Sequence, residues 1–209
     1  MRFGVAFANV GPMAFAEGAI ALAQAAEAGG FESLWTVEHT IVPAGYQSAY
    51  PYSPTGRMPG PEDSDIPDPL IWLSYVAAAT ATIRLGTGIL ILPQRNPIVL
   101  AKEVATLDRL SGGRLLPAFG LGAVDPGEHQ AFGVERGERA ARFNEALPLL
   151  RRFWAGDVVD HDGAFHHYAG ATVRPLPLQQ PLDIWLGGIA RAELKRCGHL
   201  GDGWLPACC

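Results

Sequence analysis

The sequence predicts an α/β protein of the (β/α)8 TIM-barrel type, cut short after about six β/α units. Three observations predict it. Short apolar strand runs alternate with helical periodicity from Arg2 to Pro206, the pattern of a parallel sheet covered by helices. The long insertions follow strands two and four, on the side where barrel enzymes place their active sites. The count stops at a sixth strand, Gly203 to Pro206, whereas closed barrels have eight strands in about 250 residues. One domain over 1–209 is expected, with an insertion loop at 41–67 and a hairpin excursion at 156–182.

The elements follow in order. Phe3 to Ala8 reads as a buried strand, and Phe15, Ala19, Leu22 and Ala26 mark one face of the first helix, which Gly29-Gly30 stop. Strand two, Ser33 to Glu38, delivers His39 at its carboxyl end. The Pro/Gly/Tyr-rich stretch after it exceeds a simple connector, and such loops are usually lids or binding loops. Asp68-Pro69 opens a helix to about Ala81, with Asp as cap and Pro in the first turn, where it needs no donor. Strand three is Arg84 to Leu92; Asn96-Pro97 then caps a helix with Leu100, Val104 and Leu107 as its apolar stripe, ending at Gly112-Gly113.

Strand four, Leu115 to Gly120, contains Pro117, which forfeits a ladder bond. The next long helix carries Phe143, Leu147, Leu150 and Trp154, and Pro148 inside it should kink it. Alternation around Asp162-Gly163 marks a hairpin turn. Strand five is Asp183 to Leu186, and Gly187-Gly188 open a helix that ends near His199.

Composition narrows the class. A formal charge of −5 and 48% hydrophobic residues describe an acidic protein with a substantial core, not a nucleic-acid binder. Arg136, Arg139, Arg142, Arg151 and Arg152 alternate with Glu135, Glu138 and Glu145, the pattern of a solvated helix face. Asn9, Gly11 and Pro12 interrupt the apolar N-terminus, which argues for a strand over a signal peptide. No apolar run is long enough for a membrane span. Cys197, Cys208 and Cys209 lack metal or disulfide spacing and favour a reduced, cytoplasmic protein.

Three glycine elements follow strand ends: Gly86-Thr87-Gly88, Gly120-Leu121-Gly122 and Gly187-Gly188-Ile189-Ala190. Tight turns explain any one of them. Three on one rim favour a phosphorylated cofactor, because glycine admits close backbone approach and a helix start offers free N–H groups. No GxGxxG or P-loop appears, nor a nucleophile elbow or a zinc pair. His39 is the acid/base candidate, with a satisfied structural histidine as the competing reading. Glu38 points the opposite way in a regular strand, so the two need not pair. His161, His166 and His167 fit a solvated hairpin better than a metal site, and His129 and His199 read as surface residues. No metal is expected.

The run from Thr82 through Gly86-Thr-Gly-Ile-Leu-Ile-Leu-Pro-Gln-Arg-Asn-Pro97 to Leu107-Asp-Arg-Leu-Ser-Gly-Gly-Arg114 resembles the luciferase-like monooxygenase superfamily. It is most similar to the branch using the deazaflavin coenzyme F420. Phe31 to His39, Glu128-His-Gln-Ala-Phe-Gly133, Pro181 to Gly188 and Leu200-Gly-Asp-Gly-Trp-Leu-Pro206 fit the same family.

The resemblance implies a flavin or deazaflavin across the strand ends and hydride transfer between coenzyme F420 and a small organic substrate. An FMN-dependent monooxygenase or a non-catalytic flavin-binding protein are the alternatives. By position, His39 matches the histidine near the reactive ring. Gly88-Ile89 matches a bulged, often cis, peptide that presses on the ring. Gly120 and Gly122 match the approach near the cofactor tail, and Gly187, Gly188, Ile189 and Ala190 a phosphate-binding helix start. Ala123 stands where some relatives carry an acidic proton donor. A homodimer is expected, both from the family's usual pairing and because an open six-stranded wall has two unpaired edges. With two units wanting, the chain is expected to bind cofactor yet turn over poorly.

Overall fold

Six parallel chain segments stand side by side in sequence order and form one curved wall with helices against it, a partial (β/α) barrel. The computed structural model describes residues 1–47, 49–50, 53, 55–58, 60–122 and 126–206. Along the wall run β1 (Gly4–Val5), β2 (Ser33–Trp35), β3 (Arg84–Gly86), β4 (Leu90–Ile91), β5 (Leu115–Leu116) and β6 (Ala118–Gly120). An antiparallel hairpin, β7 (Val159–Asp162) and β8 (His167–Ala171), precedes β9 (Trp185–Gly187) and β10 (Gly203–Leu205). One sheet has the order β1-β2-β3-β5 and the other β4-β6-β9-β10, with every pairing parallel. Because β3 and β4 share one segment and β5 and β6 another, the two sheets form one wall.

Both shared segments are broken where the sequence anticipated continuous strands, and each break has a chemical cause. In the third segment Gly88 turns left-handed at φ +59°, so pairing stops at Gly86 and resumes at Leu90. In the fourth, Pro117 has no N–H to donate, although its carbonyl still accepts from the Trp185 amide at 2.9 Å. The Thr87 hydroxyl spans both breaks, donating to the Ala118 carbonyl (3.0 Å) and accepting from the Ala118 amide (2.8 Å). The first strand is shorter and less buried than expected: Phe3 and Phe7 are 62% and 55% exposed. It lies at the edge of the wall, where no neighbour covers it among the described residues.

The helices are α1 (Ala16–Ala28), α2 (Pro69–Ala77), α3 (Pro97–Leu110), the short α4 (Pro126–Gln130), α5 (Arg139–Ala155) and α6 (Arg191–Leu200). Asp68 caps α2 by accepting from the Leu70 and Ile71 amides at 2.9 and 3.0 Å, and Asn96 caps α3 likewise. α2 ends at Ala77, short of Ala81, because the Arg114 guanidinium takes the Ala77 and Ile83 carbonyls and the Thr80 hydroxyl. α5 passes Pro148 without interruption. That proline lies on the exposed face, where water can serve the carbonyl it leaves unpaired.

The core sits between wall and helices. Leu34, Leu85, Leu115 and Leu186 meet Ala23, Leu73, Val76, Leu100, Val104, Leu147 and Leu150, all essentially without solvent contact. Each buried Leu or Val contributes about 1.5–3 kcal/mol of transfer free energy. Phe15 is exposed instead of joining the α1 stripe, since it is the extended residue before the helix starts. On the other side of the wall Trp35 packs against Trp185, ring centroids 5.3 Å apart. Glycines 86 and 203 leave room for them: a Cβ at either would overlap an indole. No helix among the described residues is long and apolar enough to cross a membrane.

Candidate functional site

A cavity of about 270 Å³ opens at the carboxyl ends of the strands, slightly below the roughly 300–1,000 Å³ typical of small-molecule sites. His39, after β2, and Gly88 and Ile89, after β3, line it. So do Gly120 and Gly122 at the end of β6, and Gly187 and Gly188 at the end of β9. Ile189 and Ala190 do not. Ala123, Cys208 and Cys209 lie outside the described residues.

The bulge at Gly88 organises the centre. A Cβ on Gly88 would overlap the Thr36 carbonyl oxygen, so strand two admits only glycine at this approach. The Gly88-Ile89 peptide is trans, unlike the often cis bond of the resemblance, because the positive φ of Gly88 produces the bulge unaided. The bulge carries the Ile89 side chain between two glycines. A Cβ on Gly120 would lie 2.5 Å from Ile89 Cγ2, and one on Gly187 would overlap its Cδ1. Gly120 and Gly187 are therefore small because Ile89 is large. Gly122 has another neighbour: its Cβ would sit 3.0 Å from the His129 ring.

His39 finds a partner 89 positions away. Its Nδ1 lies 3.3 Å from Oε2 of Glu128, on α4, whose side chain is only 2% exposed. Where the Glu128 oxygen accepts, His39 donates from Nδ1, and Nε2 is the ring nitrogen outside this contact. The other Glu128 oxygen, Oε1, is buried with no hydrogen-bond partner among the described residues.

Glu38, which lies past the end of β2 like His39, has other partners: it accepts from the Ile91 amide at 2.5 Å and from Arg95. Burial pushes the Glu38 carboxyl up against the pull of Arg95. Burial also opposes the charge on Arg95, but Glu38 and Asp68 hold that guanidinium above its ordinary value. Since Asp68 caps α2, this chain of charges fixes the β2 end, the start of α2 and the turn after β4 together. Asn9 ties the first strand in, donating to the Val37 and Pro67 carbonyls while accepting from the Val37 amide at 2.8 Å.

His129 is not a surface residue. It is 3% exposed, with Gln94 at 3.3 Å and Arg139 at 3.4 Å, and burial followed by the Arg139 charge holds it below the usual histidine range. Arg139 also leaves the expected solvated face to donate to the Gly122 carbonyl at 2.6 Å. The hairpin histidines serve the turn. Glu145 meets His161 and accepts from the Ala164, Phe165 and His166 amides. Among the described residues no group of three His, Cys, Asp or Glu is placed to hold a metal.

The helix after β9 starts at Arg191, not at Gly187-Gly188. Between them, Oε2 of Glu193 accepts from the Ile189 and Ala190 amides at 3.1 and 3.0 Å. The two ends of the cavity thus differ. One offers Ile89 as an apolar face with glycine backbone around it. Beside the other, next to Gly188, the Ile189 and Ala190 amides are engaged by the Glu193 carboxylate. Sequence reasoning missed Glu128, Glu193 and Trp35 as site residues, because none carries a local signal: each acts through a partner distant in the chain or across a turn.

Comparison with known proteins places this geometry. The family model described as "Luciferase-like monooxygenase" matches residues 1–208. An F420-dependent glucose-6-phosphate dehydrogenase of Kineococcus radiotolerans is 33% identical over 196 residues, 91% of this chain and 52% of that one. An uncharacterised protein of Mycobacterium tuberculosis is 31% identical over 186 residues, 88% of this chain and 66% of that one. The crystal structure of monooxygenase RslO1 from Streptomyces bottropensis superposes with a TM-score of 0.78 at 32% identity, over 98% of this chain and 59% of that one. The chain therefore spans between half and two-thirds of the length of these relatives.

Proposed function

The chain belongs to the luciferase-like monooxygenase family, and from that premise we propose that it transfers hydride between coenzyme F420 and a small organic substrate. The observation that carries the proposal is the His39–Glu128 pair at the edge of the cavity that Ile89 enters. The deazaflavin, when bound, supplies the ring that gives or takes the hydride. The chain supplies the rest. Ile89, wedged between Gly120 and Gly187, is the face on which the ring rests. Gly88, Gly122 and Gly188 allow close backbone approach, and Trp35, packed against Trp185, adds an apolar wall. His39, oriented by Glu128, exchanges a proton with the substrate through Nε2, as a buried carboxylate orients a catalytic histidine in other enzymes.

The relative named for F420 supports this cofactor over FMN. The second reading, an FMN-dependent monooxygenase, is favoured by the likeness to RslO1; the third is a flavin binder without turnover. On this reading the chain is a single cytoplasmic domain that pairs with a second copy. The exposed Phe3 beside β1 supports that pairing, and light scattering showing only monomer at low micromolar concentration would count against it.

Fluorescence titration with F420 and with FMN, followed by turnover assays on a substrate panel, tests the function. His39→Ala should keep cofactor affinity and lower turnover about 10²–10⁴-fold, the usual worth of a positioned acid/base. Unchanged turnover would remove His39 from the chemistry. Oxygen consumption with reduced FMN would favour the monooxygenase instead.

A further inference from the structure

F420 and FMN both carry phosphate, yet among the described residues the cavity lining presents no lysine or arginine to receive it, and one of its carboxylates, Glu38, is already paired with Arg95. The other carboxylate there is Glu193. Next to Gly188, just outside that lining, the amides before α6 form a donor pair of the kind that receives a phosphate, and Glu193 Oε2 already accepts from both, Ile189 and Ala190. Gly188, at φ +131°, lets the backbone lie against this carboxylate: a Cβ there would fall 2.6 Å from both Cβ and Oε2 of Glu193. Trp204 Nε1 donates to the Gly188 carbonyl at 2.8 Å and keeps the turn in place. Arg139, whose guanidinium burial and then the Arg136 charge hold below its ordinary value, is committed to the Gly122 carbonyl and is no substitute ligand.

We propose that Glu193 is an internal anion seated where the cofactor phosphate would bind, and that it sets the cavity's selectivity toward the ring over the phosphate. The inference rests on the ring-binding reading above. A carboxylate on those amides satisfies the donors and the positive end of α6 that would otherwise attract phosphate. A phosphate arriving beside it meets a like charge, which disfavours the pair. Phosphorylated cofactor therefore binds through its ring and gains little from its phosphate unless the Glu193 side chain swings out.

The test compares the unaltered chain with Glu193→Gln and Glu193→Ala. Each is titrated with riboflavin, with FMN and with F420 by fluorescence, and melted in inorganic phosphate or in chloride at equal ionic strength. The unaltered chain should bind the two flavins within about threefold of each other. Glu193→Ala should prefer FMN by about tenfold or more, the worth of one charge-assisted contact, with riboflavin affinity unchanged. Glu193→Gln, which is isosteric and guards against a folding defect in the alanine variant, should fall between. Inorganic phosphate should raise the melting temperature of Glu193→Ala and not that of the unaltered chain.

An unaltered chain that prefers FMN tenfold, or equal phosphate protection of all three proteins, overturns the proposal. If neither riboflavin, FMN nor F420 binds any of the proteins while phosphate protects Glu193→Ala alone, Glu193 keeps its role and the ring-binding reading falls.

Discussion

Gly88→Ala separates two physical costs that usually arrive together. The first is conformational: alanine at φ +59° costs about 1–2 kcal/mol. The second is steric, because the new methyl overlaps the Thr36 carbonyl oxygen. That atom is backbone in the neighbouring strand and cannot rotate away, so the segment must shift, at about 1–3 kcal/mol. Stiffening of the unfolded chain returns about 0.4–1 kcal/mol, for a net loss of about 1–4 kcal/mol. Gly112→Ala is the control. Gly112 has a similar φ of +72° but nothing within 4 Å of a Cβ, so it carries the first cost and not the second. Urea unfolding at a slope of about 2 kcal/mol/M should place the Gly88→Ala midpoint roughly 0.5–1.5 M below that of Gly112→Ala. Coincident midpoints would mean strand two does not crowd the bulge, and the placement of Ile89 in the cavity would lose its support.

Three further outcomes are expected. Glu128→Gln should shift the His39 tautomer balance away from Nδ1–H in nitrogen-resolved NMR and lower any turnover about 10–100-fold; an unchanged His39 spectrum would dissociate the pair. Arg95→Ala strips the counter-ion from Glu38, whose side chain is only 2% exposed, and should cost about 3–5 kcal/mol, measured by chemical denaturation. Glu27 accepts from the Ala81, Thr82 and Ile83 amides, and these contacts, led by Thr82, lower its carboxyl from 4.5 to about 2. A depressed folded value means its stabilisation is complete above about pH 4.5 and is lost as pH falls toward 2. Melts of Glu27→Gln and the unaltered chain should therefore converge across that window; a difference independent of pH would assign the effect to something other than ionisation.

Much of the fold is legible in the chain because its signals are local. Asp68-Pro69 and Asn96-Pro97 announce helix starts through capping within three residues, and both caps form. The order of strands and helices follows from periodicity, and a parallel wall in sequence order follows from that alternation. His39 and the rim glycines are legible for the same reason: a strand end is visible in sequence, and strand ends share one rim. What depends on residues far apart was settled only by folding. Glu128 reaches His39 across 89 positions, Ile89 explains Gly120 and Gly187, and His129 is buried by Gln94 and Arg139. The same holds for the breaks at Gly88 and Pro117, where a glycine or proline marks a special place but cannot say which neighbour occupies the space. Periodicity reports which way a side chain faces; only packing of the wall and helices decides what it meets there, because that partner comes from another part of the chain.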